Sequence, residues 1–235
     1  MNLVIVRDNL ARVREEIDRI RCAEGVSGEV RVIAVTKGHP VETISVAEAA
    51  GITDIGENRI QEALDKRTTA ADIPVRWHLI GHLQSNKAKF VPGNFSVVHS
   101  VDSTKVAEAL ARAVRRRTED GFPMEPLRAL LQVNVAGEQQ KSGCAAADAA
   151  TAAHEVAAMP ELHLEGLMTM APLGGDEKAQ RVVFAALRRL RDELEADGLG
   201  LPELSMGMSG DFRAAVAEGA TMVRLGTVLF GERQR

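Results

Sequence analysis

The sequence predicts an α/β protein built as a single (β/α)8 barrel with an extra N-terminal helix, and three observations carry that expectation. Eight short runs dominated by aliphatic residues recur near 30–36, 53–56, 75–80, 96–101, 127–134, 162–169, 203–206 and 221–225. Helical or helix-length segments separate them without a Pro/Gly-rich linker, which favours parallel strands. At 235 residues the chain has the size of one such barrel, so residues 1–235 are expected to form one domain. An open doubly wound sheet is the alternative, but no Gly-x-Gly-x-x-Gly motif follows the first strand.

The elements follow from local pattern. An opening helix aligns Leu10, Val13, Ile17 and Ile20 on one face. The first strand, Val30 to Thr36, ends on Lys37 and the breakers Gly38-His39-Pro40. The second reaches Gly56-Glu57-Asn58, and the third runs into Trp77-His78-Leu79-Ile80-Gly81-His82. The fourth ends at His99-Ser100-Val101-Asp102-Ser103, and Ser85 and Ser103 are candidate helix caps. A helix over 103–117 closes on Arg115-Arg116-Arg117, where cations complement the helix dipole. Helices over 145–158 and 177–196 flank the sixth strand, the second with Val183, Leu187, Leu190 and Leu194 aligned.

Composition narrows the function. Hydrophobic residues make up 45% and aromatics only 3%, so the core is aliphatic. A net charge of −4 argues against nucleic acid as a partner. Cys22 and Cys144 stand alone, as thiols do in a reducing compartment. With no signal peptide and no membrane-length apolar run, a cytoplasmic protein is expected. His78 and His82 have His-x-x-x-His spacing, but Gly81 and the strand pattern deny them a helix face, so no metal site is expected. His82 reads better as lining or supporting a ligand pocket. Sparse aromatics lean toward a monomer.

Functional residues of a barrel collect where strands end. A lysine ending a buried strand directs its amine into the cavity above the sheet, and a desolvated amine can attack an aldehyde. Near the C-terminus, Ser205-Met206-Gly207-Met208-Ser209-Gly210 and Gly226-Thr227 form two small-residue turns after consecutive strands. Such turns make phosphate sites. Arg224 alternates with Val223 and Leu225, so its guanidinium should enter the barrel, where it needs an acceptor. A ligand with an aldehyde, a phosphate and a ring nitrogen would satisfy all three features.

The segments Ala34-Val35-Thr36-Lys37, Ile55 to Asn58, Trp77 to Lys87, Gly166 to Met170, Leu204 to Ser209, Val223 to Thr227 and Phe230 to Arg233 resemble the YggS/PROSC family of pyridoxal phosphate homeostasis proteins. The resemblance spans essentially the whole chain. It implies a barrel like the N-terminal domain of alanine racemase with pyridoxal 5′-phosphate (PLP) held as a Schiff base. It assigns Lys37 to the Schiff base, Ser205, Met206, Gly207, Gly226 and Thr227 to the phosphate cradle, Arg224 to the pyridine nitrogen and Asn58 to the pocket wall. It also makes Lys141 a loop lysine that helps hand PLP on. The chain departs from the family pattern at His39, where lysine is usual, at Arg59, where tyrosine is frequent, and at Gly210, where alanine is common.

The resemblance implies PLP homeostasis, with storage and transient delivery to apo-enzymes, rather than robust catalysis. Racemisation needs a base on each face of the PLP adduct, and the chain has no tyrosine to be the second. Because it ends right after the eighth strand, it is expected to lack the second domain that completes a racemase. Arginine against the ring nitrogen leaves that nitrogen unprotonated and weakens the electron sink. A weakly active PLP-dependent racemase, with His82 as the second base, is the alternative. A Schiff-base aldolase acting on sugar phosphates is the third reading.

Overall fold

The computed structural model describes residues 1–138, 142–172 and 174–232; Lys141 lies outside the described residues. Helix α1 (Leu3–Glu24) opens on Asn2, whose side chain accepts from the Val4 amide, and stops at Gly25. Gly25 has φ 67°, a conformation that favours glycine. The buried face of α1 is Val6, Leu10, Val13, Ile17 and Ile20, at the spacing that the sequence sets.

The chain then alternates β1 (Arg31–Val35), α2 (Glu42–Ala49), β2 (Asp54–Glu57), α3 (Ile60–Thr69) and β3 (Arg76–Leu79). A 3₁₀ turn over Ser85–Phe90 replaces the next helix and leads to β4 (Val97–Val101), α4 (Thr104–Glu119) and β5 (Leu127–Asn134). A two-residue strand β6 (Cys144–Ala145), α5 (Ala149–Ala157), β7 (Leu162–Met168) and α6 (Glu177–Ala196) follow. The last elements are β8 (Glu203–Met208), α7 (Phe212–Ala217), β9 (Met222–Leu225) and α8 (Thr227–Phe230). Ser103 caps α4 by accepting from the Val106 amide, whereas Ser85 is inside its 3₁₀ turn and Gln84 precedes it as cap.

Eight strands close into a parallel ring in the order β4-β3-β2-β1-β9-β8-β7-β5, and β4 pairs with β5 to complete it. β6 is outside the ring, against β5. This is the (β/α)8 barrel that the sequence predicts.

Alternation along the strands separates two apolar regions. Val32, Ala34, Ile55, Trp77, Leu79, Leu131, Leu167, Val223 and Leu225 join the large cluster between sheet and helices. Ile33, Leu130, Met168 and Met222 form a second cluster inside the ring. The same inward register carries Asp54, His78, His99, Ser205 and Arg224, all buried. The barrel interior is therefore part apolar and part polar, and the polar part leads to one mouth. Among the described residues no helix is long and apolar enough to cross a membrane.

Candidate active-site cavity

A cavity of about 250 Å³ opens at the C-terminal ends of the strands, lined by Lys37, Asn58, Met208, Ser209, Arg224 and Thr227 among others. Lys37 comes from the residue pair after β1, Asn58 from the loop after β2, and Arg224 from inside β9.

The backbone around Lys37 is fixed by a buried ionic cluster. Lys66 Nζ, from α3, donates to the Thr36 carbonyl at 2.7 Å, to Glu57 Oε1 at 2.7 Å and to Glu62 Oε1 at 2.8 Å. Thr36 Oγ1 donates to Glu57 Oε1 at 2.6 Å, and the Gly38 amide donates to Glu62 Oε1 at 2.6 Å. The residues on both sides of Lys37 are thus tied to one lysine and two carboxylates. Burial pushes the Glu57 carboxyl above its usual range, against the hydrogen bonds from Lys66 and Thr36. Burial also opposes ionisation of Glu62, but the bonds from Lys66 and Gly38 outweigh it and lower its pKa.

Asn58 is placed by a close approach. A Cβ on Gly81 would sit 2.2 Å from the Asn58 carbonyl oxygen, so only glycine lets the loop after β3 pack on this backbone. A Cβ on Gly210 would instead meet nothing within 4 Å. Gly81→Ala is therefore expected to cost about 1–3 kcal/mol and to weaken ligand binding by displacing Asn58. Gly210→Ala should change neither, and urea denaturation with ligand titration of both variants checks the contrast.

The two small-residue turns meet across the mouth. Ser209 Oγ accepts from the amides of Gly226 at 3.3 Å and Val228 at 3.2 Å, which leaves its own hydrogen to donate. Gly226 and Thr227 line the cavity with it. The preceding residues behave differently. Ser205 and Met206 are fully buried, and none of Ser205, Met206 and Gly207 lines the cavity. Gly207 takes φ 93° and packs against α7, where a Cβ would come 2.6 Å from that of Ala215. This bend brings Met208-Ser209-Gly210 to the mouth, so the turn in contact with the cavity is displaced from the Ser205-Met206-Gly207 segment expected from the sequence. In the sequence, the signal that Ser209 and Gly210 reach the mouth in place of Ser205 is Gly207, the glycine that the bend needs.

Arg224 is buried inside the ring and still reaches the cavity. Its Nη1 donates to the Ser205 carbonyl at 2.7 Å and to Ser205 Oγ at 2.6 Å, and its Nη2 donates to the Thr169 carbonyl at 2.9 Å. Burial pushes the guanidinium down to about 10, and Asp211 pulls the other way. His39 lines the same cavity and packs its ring 5.4 Å from that of Phe230.

His82 does not join this group. Its side chain is 54% exposed, and its Nδ1 is 3.1 Å from Asp102. It lines a neighbouring hollow with Arg59, Gln84, Lys87 and Phe90. His78 points the other way, into the ring, where burial holds it neutral by pushing its pKa down. His99 is pushed further down, chiefly by burial. Among the described residues no group of three or more His, Cys, Asp or Glu could hold a metal ion.

These two buried imidazoles set a pH dependence. Their folded pKa values lie below the ordinary 6.5, so their contribution to stability is complete above 6.5 and is lost as pH falls toward the folded values. Asp54, lowered from 3.8 to about 2, loses its own contribution over that lower window. Glu57 acts in the opposite sense, its contribution fading as pH rises above 4.5. The difference between wild type and His99→Gln isolates the histidine effect. Below pH 6.5 the wild type should lose up to about 1.4 kcal/mol per pH unit more than the variant. Parallel slopes in urea denaturation across pH would contradict a neutral buried His99.

A closed ring with a lysine at the end of β1, an arginine inside β9 and a hydroxyl-glycine turn at the mouth defines a barrel that can hold a small phosphorylated aldehyde. Residues 9–234 match the family described as alanine racemase, N-terminal domain. The pyridoxal phosphate homeostasis protein of Pseudomonas aeruginosa is 44% identical over 229 residues, covering 97% of this chain and 96% of that one. Its Escherichia coli counterpart is 36% identical over 243 residues, covering 97% of each. PipY of Synechococcus elongatus, solved with PLP bound, superimposes with a TM-score of 0.82 at 38% identity, covering 96% of this chain and all of PipY. An alanine racemase of Clostridium difficile shares the fold at TM-score 0.77 and 16% identity, where this chain covers 58% of its length. This chain belongs to the family of pyridoxal phosphate homeostasis proteins.

Proposed function

We propose that this protein binds PLP through a Schiff base on Lys37 and serves PLP homeostasis, storing the cofactor and releasing it to apo-enzymes by transient contact, as a cytoplasmic, single-domain monomer without robust catalysis. The observation that carries the reading is that Lys37, Arg224 and the Ser209/Gly226/Thr227 turn line one cavity of about 250 Å³. Lys37 would take the aldehyde and the turn the phosphate, while Arg224 would donate to the ring nitrogen and Asn58 would wall the pocket. Bound PLP supplies an electrophilic carbonyl and, in enzymes, an electron sink.

The lining argues for holding over turnover. Among its described residues the titratable side chains are Lys37, His39 and Arg224. The expected second base, His82, is outside the cavity, so proton abstraction from the second face is left to His39, a ring already packed against Phe230. A handover role for Lys141 stays part of this proposal. Purified protein with added PLP should turn yellow, and borohydride should fix the label on the peptide containing Lys37. Amino acids should give no turnover; a colourless protein, or sustained racemisation, contradicts the proposal.

A further inference from the structure

One chain of hydrogen bonds runs through the ring from its N-terminal end to Arg224. Asp54 Oδ1 lies 2.8 Å from His78 Nε2, His78 Nδ1 lies 2.9 Å from His99 Nε2, and His99 Nδ1 lies 2.8 Å from Ser205 Oγ. Ser205 Oγ then accepts from Arg224 Nη1 at 2.6 Å. At its far end Asp54 also accepts from Arg76 Nη2 at 2.7 Å, where the side chain of Arg76 is half exposed.

The direction of every hydrogen follows from one group. Burial opposes ionisation of Asp54, but the bonds from His78 and Arg76 overcome it and hold the carboxyl at about 2. A carboxylate only accepts. His78 therefore carries its hydrogen on Nε2 and accepts at Nδ1. His99 must then donate from Nε2 and accept at Nδ1 from the Ser205 hydroxyl. Ser205 Oγ, having given its hydrogen, turns its lone pairs to Arg224. Arg224 is a buried cation whose hydrogen-bond acceptors are oxygens of neutral groups, Ser205 and Thr169, while the charge of Asp211 favours its ionised form. Buried cations ordinarily need a countercharge, and polarised hydrogen bonds strengthen one another in series.

We infer that Asp54, His78, His99 and Ser205 are positioning residues forming a directional relay, which orients Arg224 and adds the polarisation of a carboxylate at the opposite end of the barrel to the charge of Asp211. The inference rests on the reading that the PLP ring faces Arg224. Through that contact, the electronic state of the bound ligand would be set partly by Asp54, which does not line the ligand cavity.

The test begins on the ligand-free protein. Nitrogen-15 spectra of the imidazoles should show His78 and His99 both neutral with hydrogen on Nε2. In Asp54→Asn the amide oxygen is kept by Arg76 and the NH₂ group faces His78, so both tautomers should invert to Nδ1–H. Unchanged His99 signals in that variant would overturn the relay, whatever the ligand does. PLP is then added: Asp54→Asn and Ser205→Ala should shift the absorption of the Lys37-bound ligand in the same direction and weaken binding by on the order of tenfold, as loss of outer partners does at metal sites. Ser205→Ala breaks the last link and keeps the relay testable if Asp54→Asn does not fold. Inverted tautomers with an unshifted spectrum would overturn the claim that the relay polarises Arg224. A wild type that borohydride cannot label would overturn the PLP reading alone.

Discussion

Lys37→Ala is expected to leave a folded protein that no longer turns yellow with PLP and takes up no label on borohydride reduction. PLP affinity should fall by roughly a hundredfold or more, about 3 kcal/mol, because the covalent link is lost while contacts to Arg224 and the turn remain. Lys37→Arg separates charge from chemistry. Its guanidinium keeps the positive charge but does not supply a neutral amine, so it should be as colourless as alanine. Retained label on another lysine would move the Schiff base away from β1. The thermal transition of both variants should stay near that of wild type, since the backbone on both sides of Lys37 is held by Lys66 and Glu62.

Lys66→Met carries the second large expectation, and it concerns stability. Glu57 is fully buried and Lys66 nearly so. Removing the lysine strands the Glu57 carboxylate, a change that costs about 3–5 kcal/mol. At about 2–4 °C per kcal/mol for a chain of this size, the melting temperature should drop by roughly 6–20 °C. Residual folded protein should bind PLP poorly, because the Thr36 carbonyl and the Glu62 carboxylate that brace Lys37 lose their shared partner. Adding Glu57→Gln should recover more than half of the lost stability by removing the charge left behind. A double variant no more stable than the single one would show that Lys66 acts through packing instead.

Much of the barrel was legible because strand period and breakers act locally. The run 127–134 ends on Asn134 and coincides with the strand Leu127–Asn134, whereas the run 203–206 stops before Gly207 and the strand Glu203–Met208 continues two residues past it. Lys37 and Arg224 were legible for the same reason: one follows a buried strand directly, and the other obeys its alternation. What escaped depends on contacts between distant segments. Lys66 reaches Thr36 across 30 residues, and His99 reaches Ser205 across 106, which periodicity cannot encode. Ser205-Met206-Gly207 and Met208-Ser209-Gly210 were separable only through the positive φ of Gly207, a backbone choice made by packing against α7. His82, expected to line or support a pocket, stands half exposed with its Nδ1 beside Asp102, a contact with the end of β4 that spacing along the chain does not encode.

The pairing of β1 with β9 also sets a clock. Arg31 to Ala34 align with Met222 to Leu225, so the first stave of the ring borders the last. The lysine is translated early, whereas Arg224, Gly226 and Thr227 appear nearly 190 residues later. On the ribosome, where chains grow at about 5–20 residues per second, the emerging polypeptide spends most of its synthesis with a lysine but no pocket. On the proposed reading of Lys37, cofactor capture would be deferred until the last stave is released, and half-made chains would draw nothing from the supply of a reactive aldehyde.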